Sequence, residues 1–339
     1  MRAAAALIAL TIISLASAIS PSAQEQEPVV VAVTAPSLTE VVECVGGQYV
    51  EVLELVPPGA DPHTYDPPLN ELLSKLSRAD LVVMTGPSHL VIEEKIRELE
   101  EQGMISVKII DYTDYVAEGM TLLNNPITGK PNPHGYIFSY TGLEAIAKAL
   151  AKALAAERPE LRNYFQEKAE SFINMLAREE SVVQEMSSSA PRIGLLTPIL
   201  QYAAADAGIG VGAVMLPELG VEASQQQIDD FISKWREGLF DVVVTTDMEA
   251  SRLGKVVDAL KASGIPVAVI PLSTLKSSPH LIPVALVTAA ESVGRPGTSS
   301  PTYMMVLATA IGEALVIAIL AYFLYLCRRS LARAVIGHE

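Results

Sequence analysis

The chain has 339 residues, half of them apolar, enough for about two domains of roughly 150 residues each. Its 39 acidic residues outnumber 24 basic ones, for a formal charge of −15, so the surface repels nucleic acid and anionic membranes and mildly attracts cations. Its two cysteines, Cys44 in an apolar helical run and Cys327 at the end of a long apolar stretch, cannot pair, which excludes a disulfide framework.

Residues 1–23 read as a signal peptide. Arg2 gives a positive start, residues 3–15 are apolar, and Ala16-Ser17-Ala18 offers a cleavage site, with Ala23 a second one. No cysteine stands near either site, which excludes lipid attachment there.

Residues 28–158 read as a first α/β lobe. A β-branched strand at 29–34 leads to Ser37, which caps a helix at 38–45 that stops at Gly46-Gly47. Cys44 on this helix is expected to be a small core residue. A strand at 49–56 runs into the loop Val56-Pro57-Pro58-Gly59-Ala60-Asp61-Pro62-His63-Thr64-Tyr65-Asp66-Pro67. The prolines fix φ, so His63 sits on a stiff, non-helical mount. Helices at 69–79 and 91–102 alternate with strands at 81–85 and 107–110, the signature of a mainly parallel sheet. Residues 111–133 read as irregular and end in a second Pro-His pair, Asn132-Pro133-His134-Gly135-Tyr136.

An alanine-rich helix follows at 141–156. Residues 159–189 read as a linking helix; about 27 residues at 1.5 Å each give a rigid spine of about 40 Å. Residues 190–293 repeat the first plan, with strands at 191–197, 212–216, 241–246 and 266–272 and helices at 200–207, 225–236, 253–263 and 281–292. A flexible linker at 294–301 precedes an apolar stretch at 302–327, long enough for a transmembrane helix. Arg328, Arg329 and Arg333 then place the tail, 328–339, in the cytoplasm.

Loops at the C-terminal ends of parallel strands form the ligand crevice of an open α/β sheet. His63 and His134 both belong to such loops, and each reads equally as a structural residue or as a metal ligand. The stretch 56–67, then 81–86, then Asn132-Pro133-His134, resembles the TroA-like zinc and manganese group of metal-specific solute-binding proteins of ABC transporters. The similarity runs from about 29 to 292. It implies two lobes joined by a rigid helix, one divalent metal in the cleft, and His63 and His134 as the first lobe's two ligands.

The second lobe departs from that pattern. Thr197-Pro198 stands where the family has a His or Glu, and Leu272-Ser273-Thr274 where it has an Asp. Replacement ligands are expected from Glu222, with Glu218 behind it, and from His280 after the last strand. Each also reads as a solvated loop or helix-terminus residue. His89 reads as a rim residue. The spaced glycines Gly208, Gly210 and Gly212 lack the dinucleotide-binding spacing, and no phosphate loop or hydrolase motif is present.

The resulting expectation is a non-enzymatic, extracytoplasmic substrate-binding subunit of an ABC importer. It carries Zn²⁺ or Mn²⁺ as the transported ligand, works with permease and ATPase subunits, binds no nucleic acid, and is a single-pass protein of the cell membrane held by its C-terminal helix. A diverged, membrane-anchored binding or sensor module without metal specificity is the alternative, kept open by Thr197 and Thr274.

Overall fold

A computed structural model describes residues 27–57, 60, 63–86 and 90–294. The signal segment expected at 1–23, His89, the linker beyond residue 294, the membrane span expected at 302–327 and the tail at 328–339 lie outside them. Among the described residues no helix is long and apolar enough to cross a membrane.

Two four-stranded parallel sheets carry the chain. The first has the order β2-β1-β3-β4, from β1 (Val29–Val33), β2 (Val50–Glu54), β3 (Leu81–Val83) and β4 (Lys108–Ile110). The second repeats it as β6-β5-β7-β8, from β5 (Ile193–Leu195), β6 (Val211–Val214), β7 (Val242–Thr246) and β8 (Val267–Ile270). The central strands β3, β5 and β7 are buried throughout, which is why they read as continuous apolar runs rather than as alternation. The helix Arg162–Ser187 spans about 39 Å. It buries Phe165, Ala169, Phe172, Leu176 and Val183 along one stripe and packs on Tyr140–Glu157. One apolar cluster runs from the first sheet through both long helices into the second lobe, and a smaller one lies wholly within the second lobe.

Several local expectations change. The stretch 111–133 contains a short helix, Tyr112–Ala117, started by a capping box between Asp111 and Asp114. The helix expected at 253–263 is Gly254–Ala262, and a further short helix, Asp247–Arg252, precedes it. Cys44 is exposed on the helix Thr39–Gly46, because it faces away from the buried stripe of Val41, Val42 and Val45.

Each lobe contains the same buried device at the C-terminal edge of its sheet. In the first, the Glu93 carboxylate accepts hydrogen bonds from Thr34 Oγ1 (2.5 Å), Thr85 N (2.6 Å), Thr85 Oγ1 (2.9 Å) and Leu90 N (3.3 Å). In the second, Glu249 accepts them from Thr197 Oγ1 (2.6 Å), Thr246 N (2.9 Å), Thr246 Oγ1 (3.1 Å) and Thr245 Oγ1 (3.1 Å). In both, a glutamate on the helix after the third strand ties that strand's end to the end of the first.

Burial pushes the Glu93 carboxyl from 4.5 up to about 7, against its hydrogen bonds to Thr34, Thr85 and Leu90. Between those values the folded chain binds the extra proton, so this contribution to stability is fully present below about pH 4.5 and is lost as the pH rises to about 7. Urea melts across that window are expected to show the parent losing stability relative to Glu93→Gln as the pH rises, by at most about 1.4 kcal/mol per pH unit. A constant difference between the two would place the Glu93 carboxyl at its ordinary value.

Candidate metal centre

His63 lies in the loop between β2 and the helix Leu69–Leu76, and its side chain is exposed. Both ends of that loop are pinned by lysines. Lys75 Nζ donates to Leu55 O at 3.3 Å, while Lys95 Nζ donates to Pro67 O at 3.0 Å and pairs with Asp66. Proline geometry and these two anchors fix where the loop presents its histidine.

His134 is half-buried at the end of the long loop. Its N–H donates to Asn132 Oδ1 at 3.0 Å, and Gly135 follows at φ 87° to start the turn Tyr136–Phe138. Tyr136 then donates its hydroxyl to Thr85 O, fixing this turn to the end of β3. The two imidazoles face each other with ring centroids 6.3 Å apart and planes 44° apart. Imidazole nitrogens bind zinc at about 2.0–2.1 Å, so modest side-chain rotation lets one ion reach both. Burial and the neighbouring His63 push the His134 pKa below the usual histidine value, against an upward pull from Glu218. A histidine held neutral keeps a nitrogen lone pair for a metal.

The second lobe closes onto this loop through backbone and amide groups. Asn132, fully buried, donates through Nδ2 to Pro198 O (3.1 Å) and Gln201 Oε1 (3.0 Å). Gln201 Nε2 returns a bond to Asn124 O at 2.9 Å, and Leu123 N donates to the Tyr202 hydroxyl at 3.0 Å. Asn125 Nδ2 donates to Pro217 O at 2.8 Å. The His134 loop is therefore mounted on both lobes.

The remaining sequence candidates are placed differently. His280 is turned to carboxylates: its Nδ1 lies 2.9 Å from Glu40 Oε2 and its Nε2 4.0 Å from Glu179 Oε1. Burial works against its proton, but the Glu40 hydrogen bond and the charges of Glu40 and Glu179 outweigh it and raise its pKa. It joins the second lobe to the first lobe's helix and the spine rather than to the two imidazoles. Glu222 is exposed two residues before Ser224, the cap of the helix Gln225–Arg236. Glu218 is the second-lobe carboxylate whose charge acts on His134. Thr197 is 2% exposed and spends its hydroxyl on Glu249. Among the described residues no group of three or more His, Cys, Asp or Glu side chains is gathered closely enough to hold a metal ion. Sequence reasoning missed Asn125 and Asn132; the Asn-Pro pairs marked turns there, but nothing in the sequence showed their partners in the second lobe.

The family model described as "ZnuA: Zinc-uptake complex component A periplasmic" matches residues 31–283. The manganese ABC transporter substrate-binding lipoprotein PsaA of Streptococcus pneumoniae is 23% identical over 209 residues, covering 59% of this chain and 66% of the relative. The metal ABC transporter substrate-binding lipoprotein FimA of Streptococcus parasanguinis is 24% identical over 159 residues, 45% of this chain and 50% of the relative. The chain thus spans between half and two thirds of the length of these two relatives. A zinc-bound ZnuA deletion mutant superposes with a TM-score of 0.65 at 23% identity, over 81% of this chain and all of the other. The Pseudomonas aeruginosa binding protein FpvC in complex with Mn²⁺ superposes with 0.64 at 20% identity, over 78% of this chain and 99% of the other. These superpositions show the shared two-lobed fold.

The same relatives correct one expectation. They are named lipoproteins, so the single-pass localisation, and with it membrane attachment through a C-terminal helix, is withdrawn. The family match covers well over half of the chain and includes both Pro-His loops and both sheets. The chain belongs to the ZnuA family of periplasmic zinc-uptake complex components.

Proposed function

We propose that the chain is the extracytoplasmic substrate-binding subunit of an ABC importer for a divalent transition metal, Zn²⁺ or Mn²⁺. It takes the ion into the cleft between its lobes, hands it to permease and ATPase subunits, and transforms nothing. The observation that carries this reading is the pair His63 and His134, mounted on separate stiff loops with rings 6.3 Å apart where the lobes meet. A pair of imidazoles suits zinc, and each carboxylate added to it moves the preference toward manganese. The net charge of −15 favours the approach of a cation.

One observation favours the second reading, a bilobed module without metal specificity: Thr197 is buried against Glu249 instead of facing the cleft. Elemental analysis of the purified chain after exposure to Zn²⁺ or Mn²⁺ and gel filtration separates the two. The importer reading expects about one equivalent of metal retained per chain. Metal-free protein after both exposures would favour the module.

A further inference from the structure

We propose that His280, Glu40 and Glu179 form a pH-sensitive latch between the lobes: a protonated imidazole pins the second lobe to the first and to the spine, and loss of the proton releases the spine. The latch stands whether or not the chain binds metal. Its three groups are not gathered closely enough to hold an ion themselves.

His280 lies in the turn Pro279–Leu281, just before the second lobe's last helix, Ile282–Gly294. That helix packs on β7, on β8 and on the spine Arg162–Ser187, so the turn is fixed to the second lobe at the junction. Across the junction stand two carboxylates on different elements. Glu40, in the first turn of the helix Thr39–Gly46, places Oε2 2.9 Å from His280 Nδ1. Glu179, on the spine, places Oε1 4.0 Å from Nε2. The His280, Glu40 and Glu179 side chains are 15%, 18% and 29% exposed, so salt screens them little. The first lobe is gripped beside the strand that feeds the His63 loop, because Thr39 Oγ1 donates to Glu54 Oε1, at the end of β2, at 3.2 Å.

A carboxylate at each ring nitrogen suits a cation, which donates from both. A neutral ring that keeps the Glu40 bond carries its proton on Nδ1 and turns a lone pair toward Glu179. The spine contact is therefore the one lost. Burial opposes the proton, but the Glu40 hydrogen bond and the Glu40 and Glu179 charges outweigh it. The tie is thus fully present below about pH 6.5 and fades as the pH rises above that value. The neighbouring groups do not titrate there. Cys44, one turn beyond Glu40, is pushed up to about 11 by partial burial and by the charges of Glu40 and Glu43. Tyr140, acted on by Glu179, is raised by burial and by the Glu179, Asp206 and Glu180 charges. The turn Tyr136–Phe138 also packs on Pro279–Leu281, and its Tyr136 hydroxyl is spent on Thr85 O.

The test uses the chain's single tryptophan, Trp235, which lies in the second lobe and reports its unfolding in urea. Parent, His280→Gln, Glu40→Gln, the double variant and Glu43→Gln are compared from pH 5.5 to 9. The parent's midpoint is expected to exceed that of His280→Gln at pH 5.5, with the gap closing as the pH rises. Glu40→Gln should lower the midpoint at pH 5.5 in the parent but little in His280→Gln, because the two act as one unit. Glu43→Gln, an exposed change on the same helix, should leave the gap in place. Glu93 is common to all five chains, so its titration cancels. Histidine NMR of the full chain gives a second reading, with the His280 signal titrating above the ordinary histidine value in the parent and lower in Glu40→Gln. Glu40→Gln keeps the side chain's shape, so this reading holds even if His280→Gln does not fold. A gap that is constant with pH, additive losses in the double variant, or a His280 signal that titrates at the ordinary value and does not move in Glu40→Gln would each overturn the proposal.

Discussion

His63→Ala and His134→Ala are each expected to weaken Zn²⁺ and Mn²⁺ binding by well over tenfold, more than about 1.4 kcal/mol. On the proposed reading the two rings are the first lobe's nitrogen donors; their centroids lie 6.3 Å apart. Neither ring replaces the other: with one gone, a single remaining imidazole makes an open, weak site. The losses should appear without loss of fold. His63 is exposed, and the His134 backbone N–H bond to Asn132 is one that alanine keeps. Chelator competition gives the affinities, and urea melts give the stabilities. A folded variant that binds both metals like the parent would show that its histidine is structural.

Gly135→Ala is expected to destabilise the chain by about 3–5 kcal/mol and to loosen metal binding with it. Gly135 stands at φ 87°, a conformation that alone costs a side-chain-bearing residue about 1–3 kcal/mol. An added Cβ would also sit 1.9 Å from the Ile199 carbonyl oxygen and 2.8 Å from its carbon. Ile199 belongs to the second-lobe turn that Asn132 grips through Pro198 O, so the clash falls on backbone at the lobe contact. Relief requires the His134 loop to leave the second lobe, which breaks the buried Asn132 bonds. Gly119→Ala is the control: its φ is 104°, but nothing lies within 4 Å of the added carbon. Urea melts of both variants separate the conformational cost from the clash. Equal destabilisation would mean that the loop moves away from Ile199 without penalty.

The two-lobed architecture was legible because its signals are local. Central strands buried on both faces read as apolar runs, and the spine shows its buried stripe from Phe165 to Val183 in the sequence itself. The Pro-His loops were legible for the same reason, since stiffness and residue type are written within a few positions. The helix Tyr112–Ala117 was missed because six residues carry too little periodicity, although Asp111 and Asp114 supply a capping box.

The second lobe's side of the cleft was not legible, because its determinants are long-range bonds. Thr197 looked like a lost ligand; only the structure shows Glu249, 52 residues on, using its hydroxyl. His280 follows the last strand as expected, yet its partner Glu40 lies 240 residues earlier. Asn125 and Pro217 are 92 residues apart. Local pattern reports a backbone conformation and a buried face; it does not report which amide meets which carbonyl across two lobes.

The most direct measurement is anomalous diffraction at the metal edge from crystals of the chain grown with Zn²⁺ or Mn²⁺. The account predicts one strong peak per chain, within bonding distance of an imidazole nitrogen of both His63 and His134. A peak elsewhere, or none at all between those two rings, would contradict it.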